Sequence, residues 1–374
     1  MQEGVAVRRM SIVDLRDSKR ENLRLYVEEF QQRRSIVRNM PVHIQIEMTN
    51  TCNLRCIMCS SVWSEDAHGE HHYIDSSILQ KLYPYYRYAV LIEPQGNGEP
   101  MLHKDFMSDL EEIKKNSAFV IFTTNGTLLT PEKIRKIVDL RVDTIVFSID
   151  GATKKTYDAI RKGTTFENVI GKIRLLDQTK KEVGRADPHD RPEWMVNFVV
   201  MQQNYREMPK MLDILHAYGG TFVNFLGLGV YSEEMEKWYK QYQPEDKALI
   251  DDVNALAREY GIGVFYHPLF YSPSVEKPVI NAQESNWLCY RPWKSVFVAW
   301  DGATVPCCFW NKNISNWGNL TRQSMEEIWN GEKAQITRST LRERKYPEEC
   351  TYCREHKSFW NVPDDAQLLF SKCF

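Results

Sequence analysis

The chain has 374 residues, of which 43% are hydrophobic and 26% charged, enough for about two domains with a sizeable core and far from a disordered composition. Forty-eight Lys and Arg against fifty Asp and Glu leave a formal charge of −2, which gives no overall field for nucleic acid or an anionic membrane. Apolar runs such as 88–92 and 296–300 fall far short of the ~18 residues a membrane-spanning helix needs, and the N-terminus lacks the apolar core of a secretory signal.

In chain order, residues 1–40 read as a helical extension, with Leu23, Tyr26, Val27 and Phe30 at helical spacing and basic residues on a solvated face. From residue 41, β-rich runs at 42–48, 89–93, 119–123, 144–148, 195–201, 221–225 and 263–266 alternate with helical patterns at 104–115, 131–140, 166–178, 208–218 and 244–260. Such alternation implies a parallel sheet with right-handed crossovers, hence an α/β chain forming a partial or full (β/α) barrel. Residues 180–192, charged and broken by Gly and Pro, read as an exposed insertion. After about residue 270 the alternation stops. A loop-rich segment, 271–374, follows with a hairpin near 296–306, a helix over 324–330 and, before the tail, five of the nine cysteines. A chain kept in a reducing cytoplasm, the expected compartment, uses clustered thiols as metal ligands or catalytic groups and not as disulfides.

Cys52, Cys56 and Cys59 lie in TCNLRCIMC directly after the first strand. Three thiolates at C-x3-C-x2-C suit a cluster with one open iron better than a structural zinc, which is normally closed by four ligands. The ends of the next strands carry Gly96-Asn97-Gly98-Glu99-Pro100, then Thr124 and Asn125, then Ser148 and Asp150, followed by Arg161 in YDAIRKG. Sites on barrels form at these strand ends.

Together these motifs resemble the radical S-adenosylmethionine (SAM) enzymes, over residues 41 to about 267. The resemblance implies a [4Fe–4S] cluster on Cys52, Cys56 and Cys59 whose open iron binds SAM, with reductive cleavage to methionine and a 5′-deoxyadenosyl radical that takes hydrogen from a substrate. It implies SAM contacts from Met58, Gly98, Glu99, Asn125, Ser148, Asp150 and Arg161, with Asn97 replacing the first glycine of the family's Gly-Gly-Glu-Pro motif. Plainer roles compete: a turn for 96–100, a helix cap for Asp150, a surface ion pair for Arg161 and a core position for Met58. Asn204 stays outside the site.

Cys289, Gly302 and Cys307 form C-x12-G-x4-C, and Cys350 and Cys353 form C-x2-C. Four thiolates fit a closed [4Fe–4S] cluster or a tetrahedral zinc. The spacing resembles the SPASM/twitch subgroup, and because Phe359 stands where a full SPASM segment continues with cysteine, the twitch form with one auxiliary cluster is the better match. Two [4Fe–4S] clusters and SAM are therefore the expected cofactors. Cys308 is expected to be a small buried residue, or else a thiol returning a hydrogen atom to a substrate radical; Cys373 has no assignment.

His68 to His72 (HGEHH) lacks metal-ligand spacing and offers substrate contact instead. Trp63, Tyr231 and Tyr266 read as core aromatics. The resemblance implies a low-potential electron donor such as flavodoxin or ferredoxin. It leaves open dehydrogenation or epimerisation of a small polar, sugar- or aminocyclitol-like molecule, maturation of a ribosomal peptide, or a non-catalytic iron–sulfur protein; the first is favoured because forty N-terminal residues are too few for a peptide-recognition domain. No nucleic acid or membrane partner is expected.

Overall fold

The structure is a computed structural model that describes residues 12–63, 71–267, 270, 289–310, 312, 314–345 and 347–350. Helix α1 (Ile12–Gln31) leads into β1 (His43–Ile46), a short α2 (Ser60–Trp63) and α3 (Ser76–Tyr86). Then come β2 (Leu91–Glu93), α4 (Phe106–Lys115), β3 (Phe119–Thr124), α5 (Pro131–Asp139), β4 (Thr144–Ser148), α6 (Lys154–Ile160) and α7 (Phe166–Glu182). The alternation ends with β5 (Glu193–Val200), α8 (Met208–Tyr218), β6 (Phe222–Gly227), α9 (Glu233–Glu236), α10 (Lys247–Tyr260) and β7 (Gly263–Tyr266). The C-terminal part supplies α11 (Arg291–Lys294), β8 (Ser295–Val298), β9 (Ala303–Val305), β10 (Gly318–Asn319), α12 (Met325–Trp329) and α13 (Glu332–Arg342).

Strands β1 to β7 are parallel and paired in chain order, so every crossover places its helix on the same outer side. The sheet is open, with order β10-β9-β8-β1-β2-β3-β4-β5-β6-β7, which selects the partial barrel over the full one. β8 pairs parallel with β1, Ile44 opposite Val296, and β9 and β10 follow antiparallel. The C-terminal hairpin thus extends the barrel sheet, which the end of the helix–strand alternation did not foretell.

Period-two patterning divides the strands between two environments. Ile44, Ile46, Ile92, Val120, Phe122, Val196 and Phe198 are buried in the main core beneath the helices. The alternate positions turn polar groups inward: His43 Nε2 lies 2.9 Å from Glu93 Oε2, and Asn224 Nδ2 donates to Asn197 Oδ1 at 2.8 Å.

The helix read over the first forty residues ends at Gln31, and Arg33 turns the chain at φ 51°. The following segment is fastened to the C-terminal part. Val37 N donates to Asn330 Oδ1 and Trp329 Nε1 to the Asn39 carbonyl, while the buried Arg338 guanidinium donates to the carbonyls of Ser35, Pro292 and Trp329. The 180–192 stretch begins inside α7, which runs about one turn beyond its predicted end, to Glu182. Helices α3 and α13 were not read from sequence, α3 because it contains Pro84 and α13 because its residues are mostly polar. None of the described helices is long and apolar enough to cross a membrane.

One core position is costly. Asp109 of α4 is fully buried, accepts a hydrogen bond from the Tyr86 hydroxyl at 3.3 Å, and is pushed up to about 7 by burial. A carboxyl raised above its unfolded value of about 4 contributes stability that is present at low pH and lost as pH rises through 7. Asp109→Asn is therefore expected to raise the melting temperature at pH 8, by at most about 4 kcal/mol of stability, and to leave it nearly unchanged at pH 4. Melting curves at the two pH values check this.

Candidate functional site

The loop 52–59 leaves the C-terminal end of β1 and is held from two sides. Gly98 N donates to the Thr49 carbonyl at 3.2 Å and Glu99 N to the Thr51 carbonyl at 2.8 Å; on the other side Arg55 N reaches the Lys162 carbonyl at 2.9 Å and Ile57 N the Ile160 carbonyl at 3.1 Å. Contact with the 96–100 segment is so close that a Cβ on Gly98 would lie 2.4 Å from the Thr51 carbonyl oxygen, so only glycine fits. Within the loop, Cys59 N donates to the Cys56 carbonyl at 3.1 Å, and Trp63 Nε1 donates to the Ile57 carbonyl at 2.6 Å.

Cys56 and Met58 are buried in a small apolar cluster with Leu54, Ile160, Met201, Leu228 and Met235, separate from the main core, and Cys52, Cys59 and Trp63 pack against it. Burial pushes the Cys52 thiol up and the Cys56 thiol up to about 11. Nearby N–H groups are aimed at sulfur: Leu54 N lies 3.4 Å from Cys52 Sγ, Asn125 Nδ2 3.8 Å from Cys52 Sγ and Arg161 Nη1 3.7 Å from Cys56 Sγ. A loop packed on an apolar cluster, with donors on the thiols, suits thiolates carrying an iron–sulfur cluster, because a bound metal displaces the proton and the donors then face anionic sulfur. Among the described residues, no three His, Cys, Asp or Glu side chains converge on one metal ion.

Asp150 and Arg161 form one buried pair. Arg161 Nε donates to Asp150 Oδ2 at 2.5 Å, and Asp150 Oδ1 accepts from Val199 N at 2.7 Å. Burial works against the guanidinium's charge, but Asp150 holds it above its ordinary value, so Arg161 stays cationic. Helix α6 is capped by Thr153 and not by Asp150, and Arg161 is 9% exposed, so neither the helix-cap role nor the surface ion pair stands. Asn204 holds this end of the sheet together: its Nδ2 donates to the Asp150 and Val199 carbonyls and its Oδ1 accepts from Met201 N.

Glu99 plays a different part from a free carboxylate. Its two oxygens accept from Thr124 Oγ1 at 2.7 Å, Asn125 N at 2.8 Å and Met101 N at 3.3 Å, so it clamps the ends of β2 and β3 and sets Asn125 beside Cys52. Ser148 closes β4 in register with Asn197, half-buried on the inward side.

Sequence reasoning missed Glu47. Its Oε1 accepts from both Asn97 N at 3.2 Å and Asn97 Nδ2 at 2.9 Å, and its Oε2 faces Trp300 N at 3.4 Å and Lys312 Nζ at 4.0 Å. The asparagine in a glycine position was the available signal: it joins the 96–100 segment to β1 and, through Glu47, to the C-terminal hairpin. His72 stacks on Trp300 with centroids 3.9 Å apart, tying the HGEHH segment to the same hairpin; residues 68–70 lie outside the described residues. Trp63 packs edge-on to Trp238 beside the cysteine loop, Tyr266 stacks on Phe225 in the core, and Tyr231 is exposed rather than core.

In the C-terminal part, Cys307 and Cys350 are brought to one apolar patch formed by Phe297, Ala299, Ala303, Val305 and Trp310. Cys289, half-buried, precedes α11. Gly302 turns the β8–β9 hairpin at φ 81°, where an L side chain is disfavoured. Cys353 and Cys373 lie outside the described residues, so three of the four expected ligands are placed. Cys308, beyond the end of β9 at Val305, is exposed as a residue and not buried, although the protein packed around its sulfur still pushes the thiol up.

Comparison with known proteins bears on both cysteine groups. Residues 46–184 match the model of the radical SAM superfamily and residues 289–354 that of an iron–sulfur cluster-binding domain, SPASM. A tungsten-containing aldehyde ferredoxin oxidoreductase cofactor-modifying protein of Pyrococcus furiosus is 27% identical over 362 residues, spanning 88% of this chain and 95% of the relative. An AdoMet-dependent heme synthase of Methanosarcina barkeri is 26% identical over 350 residues, 85% of this chain and 90% of that one. Among solved structures, Streptococcus suis SuiB bound to S-adenosylmethionine shares the fold with a TM-score of 0.62 at 16% identity, over 84% of this chain and 71% of SuiB.

Proposed function

We propose that this chain, which belongs to the radical SAM superfamily and carries a C-terminal SPASM-type iron–sulfur domain, modifies a cofactor or a cofactor precursor by radical chemistry at the mouth of its partial barrel. Cys52, Cys56 and Cys59 would hold a [4Fe–4S] cluster, which when bound would supply the electron for reductive cleavage of SAM. The chain's own residues do the rest. Arg161, fixed by Asp150, places a cation beside the Cys56 sulfur where the carboxylate of SAM is to be neutralised. Glu99 holds Asn125 at the Cys52 sulfur, and the apolar cluster around Met58 keeps water from the reacting centre.

The observation that carries the reading is the apolar-backed cysteine loop with Arg161 and Asn125 aimed at its Cys56 and Cys52 sulfurs. The substrate class rests on the two relatives that align along nearly their whole length, one named for modifying a cofactor and one for making heme. Neither name supports the sugar- or aminocyclitol-like substrate favoured from sequence. A peptide is the second reading, supported by the mycofactocin maturase of Mycolicibacterium smegmatis, 26% identical over 182 residues but spanning only 43% of that protein. Exposed Cys308 is the candidate hydrogen donor if the product radical is quenched by a thiol.

The test is chromatographic detection of 5′-deoxyadenosine and methionine from anaerobic holoenzyme given SAM and dithionite in place of its low-potential protein donor. Turnover above the cluster-free control supports the reading, and its absence in iron-replete protein overturns it. Addition of a candidate cofactor precursor is expected to raise the 5′-deoxyadenosine yield more than a candidate peptide does.

A further inference from the structure

At the opposite end of the barrel from the cysteine loop, a cavity of about 300 Å³ opens between α1 and the N-terminal ends of β2 to β5. Its lining holds five cationic side chains, Arg16, Lys19, Lys114, Arg141 and Arg191, against one carboxylate, Asp143. Asp143 is already shared: its Oδ2 lies 2.6 Å from Lys114 Nζ and its Oδ1 2.6 Å from Arg191 Nη1. Lys19 is 3% exposed and donates to the Tyr86 carbonyl at 2.7 Å, which seats α1 against the barrel. Arg16 and Arg141 remain exposed at the rim with no carboxylate paired to either among the described residues. Arg141 sits in the tight turn after α5 at φ 52°.

A network that served only to fasten α1 would balance its cations with carboxylates. Here the excess of positive charge is local, in a chain whose net charge is −2, and it lines a concave space whose low-dielectric walls concentrate the field. The volume is at the lower end of small-ligand sites. Guanidinium forks match phosphate oxygens in pairs, and ammonium groups add point charge. We propose that this cavity binds a small phosphate-bearing molecule, at a site separate from that of SAM cleavage, with Arg141 and Arg16 as its main anion contacts.

The probe is inorganic pyrophosphate, titrated calorimetrically into anaerobically purified holoenzyme at fixed ionic strength. Saturable binding is expected, weakened roughly tenfold or more in Arg141→Gln and in Arg16→Gln, since each removes a charge-assisted hydrogen bond worth about 1.5–3 kcal/mol. Arg141→Lys, which keeps the charge, is expected to bind within a few-fold of the parent. No saturable heat, or equal affinity in the parent and both Gln variants, overturns the proposal. Formation of 5′-deoxyadenosine is expected to be unchanged in all three variants, so failure of the anion site and failure of the proposed function are read separately.

Discussion

Changing Cys52, Cys56 and Cys59 together to Ala is expected to lower the iron content of anaerobically purified protein from about eight to about four per chain, and to abolish 5′-deoxyadenosine formation. The thiols sit in an apolar pocket apart from the main core, so the change removes ligands without opening the barrel. The iron left behind belongs to the C-terminal site, where Cys307 and Cys350 share a patch and Cys289 precedes α11. Iron, sulfide and zinc counts on the parent and the variant check this. Four iron and one zinc in the parent would make the C-terminal site a tetrahedral zinc and remove a second redox centre. Eight iron surviving in the variant would place both clusters away from the 52–59 loop and overturn the site.

The barrel was legible because its signals are local. Parallel strands buried on both sides show as short β-rich runs between amphipathic helices, and motifs at strand ends fall where the topology brings them together. Cys56 lies 105 residues from Arg161, which is itself 11 residues from Asp150, yet consecutive pairing of β1 to β4 brings their strand ends around one loop. What sequence did not carry was long-range pairing. Nothing in SVFV marks β8 as a partner for β1, because a four-residue apolar run fits any buried strand. The contacts of Arg338 with Ser35, Pro292 and Trp329 are to backbone carbonyls, which have no residue-specific signature.

Glu47 shows how such pairing links the two cysteine groups. It stands one residue beyond β1 and is 1% exposed; Asn97 of the 96–100 segment binds one of its oxygens, and Trp300 and Lys312 of the hairpin region face the other. A buried carboxylate left without such partners is costly, so the hairpin and the 96–100 segment are each positioned by the same side chain. The hairpin that leads to Cys307 is thereby indexed to the segment packed on the Cys52–Cys59 loop.

The second large effect is expected at Arg161. Arg161→Ala leaves the Asp150 carboxylate buried with Val199 N as its one donor among the described residues, and breaking a buried ion pair from one side costs about 3–5 kcal/mol. Loss of SAM cleavage in this variant alone would not separate misfolding from a missing SAM contact. Adding Asp150→Asn removes the stranded charge, so the double variant is expected to recover much of the melting temperature. It is not expected to recover 5′-deoxyadenosine formation, because the cation beside the Cys56 sulfur is still absent. Arg161→Lys preserves charge but not the planar fork that reaches Asp150 and Cys56 at once, and is expected to keep the fold while weakening SAM binding. Melting curves with matched iron counts and SAM titrations decide the matter: parent-like SAM cleavage by the iron-replete double variant would confine Arg161 to holding Asp150, while a stable, iron-replete and inactive one would place its guanidinium at the reacting centre.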